Sequence, residues 1–184
     1  MKRFISLVCL VLAFGVFTFA GTISIQPSAT TLPLGSLLPL DVNVSGVSDL
    51  YAWQFDIAFN PAVLSANNVT EGGLFSSVGV FFSPGSIDNA AGTITFIGDS
   101  LSGPGPGIST NGTLAQISFT SIGSGNSGID LANVILLDSG LNDVAATSSG
   151  AEVTVTATPE PGSILLLVTG IGVGCFLKRR RSAL

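Results

Sequence analysis

The chain has 184 residues, with six Lys plus Arg, eleven Asp plus Glu and no His. All six cations sit at the ends, Lys2 and Arg3 at one and Lys178, Arg179, Arg180 and Arg181 at the other, so the stretch from Gly21 to Thr158 carries ten carboxylates and no cation. That excludes Ser-His-Asp and Cys-His catalysis, Schiff-base lysine chemistry, His-ligated metals and cationic phosphate clamps from the middle of the chain, and nucleic acid as its partner.

At the start, Lys2 and Arg3 precede an apolar run from Phe4 to Phe19 that is broken only by Ser6, Gly15 and Thr18, and the small pair Ala20 and Gly21 follows. This is the pattern of a secretory signal peptide over residues 1–20, with cleavage after Ala20. An uncleaved anchor helix is the alternative. Both cysteines, Cys9 and Cys175, lie outside the middle region, whose core must therefore hold without a disulfide.

Residues 21–158 form one domain rich in Gly, Ser, Thr, Val, Ile and Phe, with turn residues at short intervals and no helix-period segment. That composition predicts an all-β domain. Strands are expected at Thr22 to Gln26, Pro39 to Val44, Tyr51 to Phe59, Val78 to Phe82, Thr93 to Ile97, Leu114 to Thr120, Ile129 to Leu136 and Ala151 to Ala157, with short pieces near Ala62 to Leu64 and Val69. Side chains alternate across a strand, so Trp53, Phe55, Ile57 and Phe59 share one face, and Val153 and Val155 point inward. Asn60-Pro61 ends one strand, Asp88 to Gly92 reads as a hairpin loop, and Gly103-Pro104-Gly105-Pro106-Gly107 is a helix-forbidding connector. A single two-sheet sandwich is the expected architecture, with a closed barrel as the competitor.

The stretch from Gly46 through Tyr51-Ala52-Trp53 to Phe59-Asn60-Pro61-Ala62-Val63-Leu64 resembles the signature of cohesin-type domains, in which a strand ends in an aromatic-Asn-Pro-x-x-Leu corner. Ile129 to Val134, Asp138 and the closing Val153-Thr154-Val155 fall where that family has its last strands. The resemblance spans about residues 22 to 157. It implies a jelly-roll sandwich of about nine strands, related in fold to carbohydrate-binding modules, and cohesins of cellulosomes bind dockerin modules. No binding residue carries over, because a fold does not bring its function with it.

Past the domain, Pro159, Glu160 and Pro161 precede an apolar run from Ile164 to Leu177 and then the basic cluster Lys178 to Arg181. The run is short for a membrane span, which takes about 20 residues, but starting from Gly162 with Lys178 snorkelling it makes a short transmembrane helix. The basic cluster then stays in the cytoplasm and the acidic domain outside. Motif, helix and basic tail together, residues 159–184, resemble a PEP-CTERM sorting signal. The resemblance implies processing at Pro-Glu-Pro by an exosortase-type membrane protease, transient inner-membrane anchoring, and delivery to the surface or exterior of a Gram-negative bacterium.

Carboxylates are the only catalytic groups available in the domain. No pair of them is flanked by a cation that could hold substrate or tune acidity, so no catalytic residue is assigned. Asp138, Asn142 and Asp143 concentrate oxygen donors in one loop without EF-hand spacing, which suggests a structural calcium site or an Asx-type turn. Tyr51 and Trp53 could stack on a sugar, but the register of Trp53 with Phe55 and Ile57 favours the core. Phe81 and Phe82 are adjacent, so one of them is the candidate for an exposed patch. The sequence thus points to an exported, non-enzymatic binding or matrix module without a cofactor beyond that calcium, contacting polysaccharide or another surface protein. A polysaccharide hydrolase using paired acids and a true dockerin-binding cohesin are the alternatives.

Overall fold

The computed structural model describes residues 21–76 and 81–157. Within them lie eleven strands: β1 (Gly21–Pro27), β2 (Thr31–Pro33), β3 (Leu37–Ser45), β4 (Leu50–Phe59), β5 (Leu64–Glu71), β6 (Ser83–Asp88), β7 (Thr93–Ser100), β8 (Gly112–Ser121), β9 (Gly125–Asp138), β10 (Ala146–Ser149) and β11 (Ala151–Thr156). They pair into a five-stranded sheet, β10-β1-β3-β8-β5, and a six-stranded sheet, β2-β11-β9-β4-β7-β6. All pairings are antiparallel except β1 with β10 and β2 with β11. No helix occurs among the described residues.

The core follows from alternation. Leu38, Leu40, Val42 and Val44 of β3 and Ile117 and Phe119 of β8 point inward from one sheet. Trp53, Phe55, Ile57 and Phe59 of β4, with Val153 and Val155 of β11, meet them from the other. Phe59 and Phe119 join the layers edge to face, ring centres 5.1 Å apart. Each such side chain taken out of water contributes about 1.5–3 kcal/mol. The turn at Asn60 is pinned by its own side chain, which accepts the Ala62 N–H at 3.0 Å and donates to Asn126 O at 3.2 Å. Asp88 closes the β6–β7 hairpin by accepting the N–H groups of Ala90 and Ala91, both at 2.9 Å.

Two expectations need correction. The sandwich has eleven strands where about nine were expected, because β2 has one buried residue and β10 none, too little for an alternating pattern. Phe81 and Phe82 precede a strand instead of ending one. Ser83-Pro84-Gly85 opens β6, an edge strand where proline's missing N–H is tolerated. Residues 1–20, 78–80 and 159–184, with the expected signal peptide, the rest of that strand and the sorting segment, lie outside the described residues.

Candidate functional site

The outward face of β9, β4, β7 and β6 has an irregular surface because register shifts interrupt it, two of them around Asp56. In β7, Thr95 and Phe96 together oppose Asp56, since Phe55 pairs with Ile97 and Ile57 with Ile94. In β9, Asn133 and Val134 fall between the partners of Gln54 and Asp56. Phe96 and Asn133 both take positive φ, 66° and 48°. Asn tolerates that conformation, whereas for Phe it is a strained one held by its surroundings.

Asp56 supplies the holding. Its Oδ1 accepts the Phe96 N–H at 2.8 Å and its Oδ2 accepts the Asn133 Nδ2–H at 2.6 Å, so one carboxylate ties both bulges to the central strand. The bulge turns the Phe96 ring outward, where it is 66% exposed, and Phe81 at the edge of β6 is 69% exposed. With Ala52, Gln54 and Ile135 these rings wall a shallow depression of about 370 Å³. Gly98 forms part of its floor, where a Cβ would stand 2.8 Å from Trp53 O.

Beneath this face, Trp53 is buried against Phe55, stacked at 5.3 Å, and edge-on to Phe75 at 6.3 Å. It is core, and Tyr51 spends its hydroxyl on Gly103 O at 2.6 Å. Trp53 Nε1 and Oδ2 of its cross-strand partner Asp99 are buried, each without a hydrogen-bond partner. Asp99 also lies beside Glu71 at the end of β5. Burial first, and then the charge of Asp99, raises the Glu71 carboxyl above its ordinary value.

The loop after β9 is organised around Asp138. Its Oδ1 accepts the N–H groups of Gly140 and Asn142, both at 2.8 Å, and the Asn142 side-chain amide also donates to it. These bonds form an Asx-type turn, and the Asn142 backbone N–H is the largest influence lowering the Asp138 carboxyl below its ordinary value. Asp49 accepts the Ser139 hydroxyl at 2.6 Å and the Gly107 N–H, and is lowered chiefly by Ser139. Asp143 pairs through its backbone with Leu137. Among the described residues no group of three or more His, Cys, Asp or Glu gathers around one point.

Of the residues singled out in the sequence, Asp138 and Asn142 are brought together, Phe81 is exposed and Phe82 packs against the core. Ala20, Pro159, Glu160, Pro161 and the cluster Lys178 to Arg181 lie outside the described residues. Phe96 and Asp56 carried no signal as site residues. The spacing of Ile94 and Ile97, both buried and three apart, is the one trace of the bulge, because a regular strand buries residues two apart.

A protein-family model described as the cohesin domain matches residues 22–164. No curated protein sequence matches the chain. Among solved structures, a type II cohesin domain from the cellulosome of Acetivibrio cellulolyticus superposes with a TM-score of 0.62 at 16% identity, covering 73% of this chain and 95% of that one. A non-cellulosomal cohesin from the archaeon Archaeoglobus fulgidus gives a TM-score of 0.60 at 18% identity, covering 77% and 94%. A type I cohesin–dockerin complex from Clostridium thermocellum gives 0.60 at 10% identity, covering 74% and 95%. At these identities the superpositions speak for the fold.

Proposed function

The chain belongs to the cohesin domain family, and on that premise we propose that it is an exported, non-catalytic binding module that docks a protein partner on the outward face of β9-β4-β7-β6. The observation that carries this reading is the depression walled by Phe81, Phe96 and Ile135, since large apolar side chains gathered on one exposed sheet face are a mark of interaction surfaces. Phe96 adds to it, because a strained backbone that displays an exposed ring is retained against stability. Every ionisable side chain in the domain apart from Tyr51 is a carboxylate, so the fitting partner presents apolar side chains ringed by Lys or Arg. A dockerin-type module is the first candidate, because a dockerin is what the Clostridium thermocellum relative holds. Polysaccharide is the second, since Phe81 and Phe96 are rings on which a sugar could stack.

The test is calorimetric titration against dockerin-bearing proteins and against soluble polysaccharides. Binding of the former that is lost in Ile135→Asp supports the reading. Binding of sugar alone transfers the same face to the second ligand.

Export and surface sorting belong to the same proposal and rest on residues 1–20, on Pro159-Glu160-Pro161 as the exosortase-type processing motif, and on Lys178 to Arg181 as the cytoplasmic anchor. The intact mass of the mature protein tests both cleavages. Calcium held weakly by Asp138, Asn142 and Asp143 is supported by the acid-only composition. A melting temperature unchanged between excess calcium and chelator would remove it.

A further inference from the structure

The end of the sandwich from which the chain continues past Ala157 differs chemically from the opposite end. Leu34 N–H donates to Thr156 O at 3.0 Å, Gly35 N–H to Ser121 O at 2.9 Å, and Ser121 N–H to Ser36 O at 3.0 Å. These bonds set the β2–β3 turn, the start of the β8–β9 turn and the chain exit side by side. Leu34, Leu37 and Ile122 lie there with exposures of 41%, 70% and 52%. Residues 28–37, 120–127 and 153–157 contain no ionisable side chain. Glu71, Asp49, Asp99 and Asp138 belong to the other end, where β4 and β8 begin and β5, β7 and β9 finish, while Asp88, Asp130 and Glu152 lie on the exit half, set back from the tip: Asp88 where β6 finishes, Asp130 opposite Ala58 near the finish of β4, and Glu152 accepting the Asn126 side-chain amide at 3.2 Å.

Six residues, 158–163, separate this end from the apolar run that starts at Ile164. Covalent geometry lets six residues span at most about 20 Å, so with that run in a bilayer the exit end is held close to the lipid surface. We infer that this end rests on the bilayer, with Leu34, Leu37 and Ile122 entering the headgroup boundary. The inference depends on the reading that residues 164–177 insert into the membrane. Apolar side chains gain by leaving water at that boundary, and the segments that carry Leu34, Leu37 and Ile122 bring no carboxylate of their own to be desolvated.

The test uses the full chain reconstituted in phosphatidylcholine vesicles, with a nitroxide label at one position at a time. Leu37→Cys, Ile122→Cys and, as a far-end control, Leu141→Cys are made with Cys9→Ser and Cys175→Ser. A fourth sample carries the label on native Cys175 with Cys9→Ser alone. Accessibility to dissolved oxygen relative to an aqueous nickel chelate is expected to be several-fold higher at 37, 122 and 175 than at 141. Lipid-like values at 175 with aqueous values at 37 and 122 would overturn this inference and leave the membrane reading standing. Aqueous values at 175 would overturn both. Spin–spin broadening at 37 that disappears on dilution with unlabelled protein would assign the tip to a second copy of the chain and overturn the inference in that direction.

Discussion

Asp56 accepts the backbone N–H of Phe96 at 2.8 Å across the β4–β7 pairing, and this bond keeps an exposed aromatic residue in a left-handed backbone conformation. The second oxygen of the same carboxylate holds Asn133 on the opposite neighbouring strand. The proposed docking face is therefore built from its centre outward, with Asp56 as its positioning residue.

Asp56→Ala removes both bonds at once. Hydrogen bonds to a charged group contribute about 1.5–3 kcal/mol when well sheltered, and these are partly solvated, so a loss of about 1–3 kcal/mol is expected in urea unfolding. Partner binding should fall along with it because Phe96 loses its position. Asp56→Asn should be milder in stability, since its carbonyl can still accept the Phe96 N–H.

Phe96→Gly separates function from folding. Glycine relieves the left-handed strain, about 1–2 kcal/mol for an ordinary residue, and gives back a similar amount through the flexibility of the unfolded chain. The urea midpoint should therefore stay near that of the parent while partner affinity drops. A large loss of stability would show that the exposed ring packs structurally.

Glu71 and Asp99 set a pH dependence. The Glu71 carboxyl is raised in the folded state by burial and then by Asp99, so between its unfolded value of 4.5 and the higher folded value the native chain binds more protons than the unfolded chain. Stability from this pair is full below the unfolded value and declines as pH rises through the folded one. Asp99→Asn removes the charge and keeps an acceptor for the Ser100 N–H, which Asp99 Oδ1 takes at 2.7 Å. Unfolding midpoints measured from pH 4 to 7 should fall less steeply in the variant, which should be the more stable protein at pH 7. Asp49 and Asp138 act oppositely. Their carboxyls are lowered, chiefly by Ser139 and by the Asn142 N–H, so their contribution is lost only as pH falls below the ordinary value of 3.8.

Ser121 fastens the exit end. Its buried hydroxyl donates to Pro33 O at 2.9 Å and accepts the Ser36 N–H at 2.9 Å. Ser121→Ala leaves Ser36 N–H and Pro33 O only their long mutual bond of 3.3 Å and should cost about 0.5–1.5 kcal/mol in chemical denaturation.

Much of this architecture was legible beforehand because it depends on periodicity. Trp53, Phe55, Ile57 and Phe59 alternate, and so do Val153 and Val155, and burial follows that pattern residue by residue. Asn60-Pro61 and Asp88 to Gly92 announce their turns through side chains that bond locally. Of the proposed docking face only Phe81 was legible, as one of two adjacent rings; Phe96 and Asp56 were not, because the bulges that set them break the same periodicity. Phe96 is exposed only because Thr95 and Phe96 share one partner, and the register shift responsible arises from pairing with a strand about forty positions earlier in the chain. Asp56 looks like any outward carboxylate until both neighbouring strands are in place. β2 and β10 escaped because an edge strand needs little apolar content.

The most direct measurement is the affinity of a dockerin-bearing protein for the parent chain and for two variants of equal charge change, Ile135→Asp within the depression and Leu141→Asp at the far end. A docking face on β9-β4-β7-β6 requires the first variant to weaken binding by tenfold or more, about 1.4 kcal/mol or above, and the second to leave it unchanged. Equal affinities for all three proteins would contradict it.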